Sequence, residues 1–220
     1  TLDEVRRGLA AVPDTEYDNH LVKLGQQSRL RVKKTVDAPL DPTNDSNGQV
    51  WTLFAKNFST LPIKTPTIID VLPWNGDSAS TPATGSIVRI PASNFHGDYG
   101  LSGPAVVQWN DGSTIASPYT TYYSGDAPNT INQDPRSNTS TWCTVSGVVF
   151  TLVSGVGPCP ATFRDVTAVK VALGFNFAKK SDAVKSGVKI TLNALAGDLV
   201  DPFSPQANLA GDIYTNRFVL

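Results

Sequence analysis

An amine, a carboxyl group and a carboxamide stand in this sequence where strand alternation sets each of them among apolar side chains. Residues of equal parity on a strand share a face. In Leu30-Arg31-Val32-Lys33-Lys34-Thr35-Val36 the apolar face is Leu30, Val32 and Val36, and Lys34 falls on it. In Ile68-Ile69-Asp70-Val71-Leu72 both faces are apolar, so Asp70 has no wet side. In the terminal run from Ile213 to Leu220, Asn216 shares a parity with Tyr214, Phe218 and Leu220. A buried, unpaired lysine tends to lose its proton and a buried aspartate tends to keep one. A neutral Lys34 amine can then attack the side-chain carbonyl of Asn216, while a protonated Asp70 polarises that carbonyl and shuttles protons as ammonia leaves. The product is an intramolecular isopeptide bond between the first and last core strands.

Packing alone offers another reading of the same residues. Lys34 snorkels to a strand edge, Asp70 caps a turn before Pro73, and Asn216 satisfies backbone groups. A bulge in the first strand would flip its parity and turn Lys33 inward instead.

The elements that must position these groups are strands. From Leu30 onward the sequence alternates, with Pro, Gly, Asn and Asp punctuation. Ten segments read as strands: LRVKKTV, QVWTLFAKNF, TPTIIDVLP, GSIVRIP, GPAVVQW, TTYY, GVVFTLV, TAVKVALGFNF, GVKITLNAL and DIYTNRFVL. No helical pattern intervenes, which predicts an all-β sandwich or barrel. Before them, Thr1-Leu2-Asp3-Glu4 has the form of a capping box, with Leu2, Val5, Leu9 and Val12 at helical spacing up to Pro13. The expected organisation is a short helix and linker over 1–28 and a β domain over 29–220. Within that domain, residues 74–165, rich in Ser, Thr, Gly, Asn and aromatics, read as an elaborated insertion.

Charge and composition narrow the functions. Eighteen basic and 19 acidic side chains give a net charge of −1, which removes the overall electrostatic case for nucleic acid. Charged residues are 17% against the usual ~25%, and 17 Gly with 16 Pro favour a turn-rich β protein. No run approaches the ~18 apolar residues of a membrane span, so no membrane contact is expected within this segment. The chain lacks Met altogether, which points to an excised piece of a longer polypeptide. Cys143 and Cys159 flank a strand between turns, and no further Cys or His stands at ligand spacing. A disulfide made in an oxidising compartment is the expectation, rather than a zinc site or two free thiols.

Four segments together carry a family likeness: Val32-Lys33-Lys34-Thr35-Val36-Asp37, Val50-Trp51-Thr52-Leu53-Phe54-Ala55-Lys56-Asn57, Ile69-Asp70-Val71-Leu72-Pro73 and Gly211-Asp212-Ile213-Tyr214-Thr215-Asn216. This order resembles the Ig-like repeat domains of bacterial cell-surface proteins, the SdrD-like and Cna-type adhesins and pilin-like stalks. The resemblance covers residues 29–73 and 166–220. It implies an Ig-like sandwich, an extracellular cell-wall location, neighbouring domains of the same polypeptide as partners, and a host matrix protein or glycan as a ligand. Carried over by position, it also implies the Lys34–Asn216 crosslink promoted by Asp70. Asn57-Phe58-Ser59 departs from the Asn followed two later by Gly of that pattern.

Other signals are weaker. Asp41, Asp45, Asn47 and Gly48 suggest part of a calcium loop but lack its spacing and closing Glu, so a turn is expected, with no metal and no cofactor. His96 stands near Asp98, with Ser93 and Ser102 as conceivable nucleophiles, yet no G-x-S-x-G pattern accompanies them. The chain is therefore not read as an enzyme beyond a single-turnover, autocatalytic crosslink. Trp109, Trp142 and Tyr122 belong to an aromatic-rich middle segment that offers an alternative function as a glycan- or protein-binding module.

Overall fold

Strand β2 (Gln49–Asn57) shows how the alternation becomes structure: Gln49, Trp51, Leu53, Ala55 and Asn57 are buried, and the four residues between them are not. The computed structural model describes residues 30–37, 49–74, 98–197 and 218–219. The expected N-terminal helix lies outside these residues.

Among the described residues ten further strands join β2 in two sheets, all of them antiparallel: β1 (Leu30–Val36), β3 (Thr67–Val71), β4 (Asp98–Leu101), β5 (Val106–Trp109), β6 (Tyr119–Ser124), β7 (Trp142–Ser146), β8 (Val149–Ser154), β9 (Ala168–Leu173), β10 (Gly187–Gly197) and β11 (Phe218–Val219). The first sheet runs β1-β2-β10-β4, and β5 also pairs with β10; the second runs β11-β3-β9-β6-β7-β8. β4 takes Ala194–Gly197 of β10 and β5 takes Val188–Thr191, so the two short strands follow one another along a single edge. The helical content among the described residues is two 3-10 turns, Pro128–Thr130 and Phe163–Asp165.

Between the sheets lies the main core, to which the first sheet gives Leu53, Ile190 and Leu192 and the second Ile68, Val169 and Val171. The architecture is an all-β sandwich. A smaller apolar layer covers the other side of the second sheet, built on Ile69, Val71, Ile131, Trp142 and Ala168. Apolar material on both sides of β3 explains why both of its faces read as apolar in the sequence. The described part of the 74–165 stretch supplies β4 to β8, and these strands pair into both sheets.

β4 was not foreseen, because DYGL is short and contains Gly100. A Cβ at Gly100 would sit 2.1 Å from the carbonyl oxygen of Arg164. The glycine is there because the 3-10 turn at Phe163–Asp165 presses its backbone against the strand.

Candidate functional site

Lys34 and Asp70 come from facing strands of the two sheets and meet inside the sandwich. On β1 Lys34 lies across from Leu53 of β2, which sets its stem on the core side, while Lys33 is exposed. No bulge interrupts the β1–β2 register, so the parity argument holds. On β3 Asp70 alternates with Ile69 and Val71, which face the outer layer, and so joins Ile68 and Leu72 on the inner face.

Lys34 Nζ donates to Asp70 Oδ2 at 2.6 Å, and the two side chains are 7% and 2% exposed. This is a short, charge-assisted contact in a medium that cannot replace it with water. The ring of Trp51 lies with its centroid 5.1 Å from the same amine. Its indole N–H donates to the Tyr99 hydroxyl, which donates in turn to Gln49 Oε1 at 3.4 Å. A polar chain thus runs beside the pair along the inner face of the first sheet. Tyr99 went unnoticed in the sequence because its strand did.

Energetically, such a pair is a poor stabiliser. Two groups taken out of water cost several kcal/mol each, and apolar side chains of equal volume commonly serve stability as well or better. An amine held against a carboxyl group in a dry, packed interior is, however, set for proton transfer between them.

Asn216, the third member of the expected set, lies outside the described residues. The strand that follows it in sequence does not: β11 pairs with β3, with Phe218 opposite Asp70 and Val219 opposite Ile69. The terminal strand therefore runs beside the strand that carries the carboxylate. Asn57 has a different role. Its Nδ2 donates to Leu61 O at 2.7 Å and Ala178 O at 2.9 Å, and its Oδ1 accepts from Ser59 N and Oγ. It is a fully used buried amide that ties the end of β2 to the 178 region.

Cys143 and Cys159 form a disulfide with Cα atoms 5.8 Å apart. Of the candidate calcium loop Asp41, Asp45, Asn47 and Gly48 lie outside the described residues, as do Ser93 and His96. Ser102 is exposed, and its hydroxyl donates to Asn193 O.

The three aromatics of the alternative reading do not share a surface. Trp109 is 7% exposed and belongs to the main core, its ring centroid 4.8 Å from that of Phe175. Trp142, 2% exposed, and the half-buried Tyr122 belong instead to the outer layer of the second sheet. A stacking platform needs exposed, neighbouring ring faces. The hydrophobic gain from burying two tryptophans removed them from the surface.

Those outer rings enclose a lysine that the sequence did not single out. Lys170, between Ile69 and Tyr122 in the β3–β9–β6 ladder, places its Nζ 4.3 Å from the Trp142 centroid and 4.6 Å from that of Tyr122. Burial draws its pKa from 10.5 down to about 8, while the ring faces pull the other way by favouring the charged form. The unfolded chain keeps its proton up to 10.5, so below about 8 both states are charged and folding bears the full desolvation cost. Stability should rise as pH climbs from about 8 toward 10.5. Denaturant midpoints across that range check this: Lys170→Met should flatten the rise, and equal slopes in both proteins would assign it to other groups.

Comparison with family models, characterised proteins and solved structures yields no match for this chain. Among the described residues, no group of three or more His, Cys, Asp or Glu side chains could hold a metal ion, and no helix is long and apolar enough to cross a membrane.

Proposed function

We propose that this chain is an Ig-like stalk or adhesin domain of a bacterial surface protein, locked by a self-formed isopeptide bond between Lys34 and Asn216. The observation that carries the reading is the buried contact of Lys34 Nζ with Asp70 Oδ2 at 2.6 Å. Parity put Lys34 on an apolar face and left Asp70 without a wet side, and the two groups are within proton-transfer distance. β11 adds support, because its pairing with β3 brings the terminal strand to the side of Asp70.

The chemistry balances without a cofactor. Asp70 takes a proton from the Lys34 ammonium, leaving a neutral amine and a carboxylic acid. The amine attacks Cγ of Asn216 while the acid donates a hydrogen bond to the carboxamide oxygen, forming a tetrahedral adduct. The proton on the attacking nitrogen passes through the carboxyl group to the departing nitrogen. The carbon–nitrogen bond of the carboxamide breaks, ammonia leaves, and Nζ is joined to Cγ as an amide. The departing ammonia carries off, as ammonium, the proton that Asp70 first took from Lys34, so Asp70 ends as the carboxylate it began as, and the domain turns over no external substrate.

The gain is mechanical. Lys34 lies on the first strand of one sheet and Asn216 just before the last strand of the other. A covalent tie between them passes tension directly across the sandwich, so the strands between are shielded from a pull on the chain ends. The disulfide fits an extracellular site, where neighbouring domains of the same polypeptide would transmit that pull.

Intact mass after reduction and denaturation tests the reading. The wild-type chain should weigh less than its sequence by one ammonia, beyond any disulfide hydrogens, and Lys34→Ala should show its full calculated mass. A full wild-type mass would return Lys34 and Asp70 to ordinary packing.

A further inference from the structure

The outward face of the first sheet carries a charge arrangement that the buried pair does not use. Arg31 on β1 lies across from Lys56 on β2. In the next outward row Lys33, Phe54 and Lys189 follow one another across β1, β2 and β10. Arg31 and Lys33 are exposed, and Lys56 and Lys189 are partly so. With strands ~4.8 Å apart and alternate residues ~6.8 Å apart along each, four cations fall within a patch of roughly 10 by 7 Å.

Like charges directly opposite on a sheet repel. Arg31 and Lys56 reduce that cost by sharing the ring of Phe58, at 4.7 and 5.6 Å from its centroid. Two acids in the turns at this end of the sheet have hydrogen-bond partners of their own in those turns. Asp111 accepts from Ser113, and Asp182 from the backbone of Val184 and Lys185. The third row holds Thr35, Thr52 and Thr191, one partly exposed hydroxyl per strand. The chain's net charge is −1, yet these four cations lie together on one face, and the exposed Asp37, of the same parity, stands two rows beyond Lys33 and accepts from Val50 N.

We propose that this face binds a linear sulfated polysaccharide. Sulfates would pair with Arg31, Lys33, Lys56 and Lys189, a sugar ring would cover Phe54, and sugar hydroxyls would meet the threonine row. Charge complementarity selects a polyanion. The threonine row, which offers hydroxyls to hydroxyls, selects a sulfated sugar over DNA, whose deoxyribose has no free hydroxyl along the strand to meet it.

The full chain, tested against fluorescent heparin oligosaccharides near physiological salt, should bind and be released by added salt. Lys33→Ser with Lys189→Ser should weaken binding roughly tenfold or more through two lost ion contacts. Lys64→Ser with Arg136→Ser removes the same charge elsewhere and should change it little. Lys33 is exposed and Lys189 partly so, so the fold should survive; Arg31→Ser with Lys56→Ser carries the same expectation on the other row. No binding, equal losses from patch and control variants, or equally tight binding of a single-stranded DNA oligonucleotide would each overturn the proposal.

Discussion

Replacing Asp70 by alanine is expected to abolish the ammonia deficit and to destabilise the fold by about 3–5 kcal/mol before the lost crosslink is counted. Asp70 is 2% exposed and faces Lys34 Nζ at 2.6 Å, so its removal leaves an amine in the dry core facing a void. The crosslink would add about 5 kcal/mol by chain entropy, since it closes a loop of well over a hundred residues. Lys34→Met should cost less than Asp70→Ala, because methionine fills most of the lysine stem's volume while alanine leaves the space of the carboxyl group empty. The double variant Lys34→Met with Asp70→Leu separates the two roles. It should regain most of the packing stability, since apolar pairs commonly replace buried ion pairs without loss, yet show full mass and no covalent protection. Chemical denaturation and intact mass on the same samples check both halves. An ammonia deficit that persists in Asp70→Ala would remove Asp70 from the chemistry.

Loss of the disulfide is the second large effect. Cys143→Ser with Cys159→Ser should cost about 3 kcal/mol for a loop of this size, and the damage should begin at β8. Among the described residues that strand is the last of its sheet, and it pairs with β7, which meets β6 at Tyr123 and Cys143. Val149, Leu152 and Val153 of β8 are half or more exposed, so little side-chain burial holds the hairpin down. Phe150 is its main anchor, in edge contact with Tyr123 and Phe163. No charged residue occurs between Trp142 and Pro160, so the strand lacks the charges that usually guard a sheet edge against pairing with other chains. Hydrogen exchange of Val149–Ser154 should rise before that of β9 or β10, and the reduced protein should aggregate sooner on warming. Unchanged exchange in β8 would show that Phe150 and the β7 ladder hold the strand by themselves.

What could be read from residues alone depended on range. The 30–36 and 49–57 strands were legible from alternation, as was the inward turn of Lys34, because a period of two follows from backbone geometry at each residue. The disulfide was legible because two cysteines with no other ligands nearby leave few partners. The inner position of Asp70 was only half legible: the sequence showed apolar neighbours on both faces, and the outer layer of Ile131 and Trp142 supplies the reason.

Tertiary structure decided the rest. β4 is a strand because it completes the edge of β10, against the preference of a short segment whose glycine answers a backbone more than 60 residues away. Trp109 went to the core between the sheets and Trp142 to the outer face of the second sheet, because burial is settled by which strands pack. Lys170 drew no notice in AVKVAL, since the rings around it come from β6 and β7. By itself the sequence determined the β class, the inward face of each legible strand and the disulfide, all set by local geometry or a count of partners. Which groups meet across the sandwich, Lys34 with Asp70 above all, depended on strand order, and strand order is a sum of long-range burials that no local pattern carries.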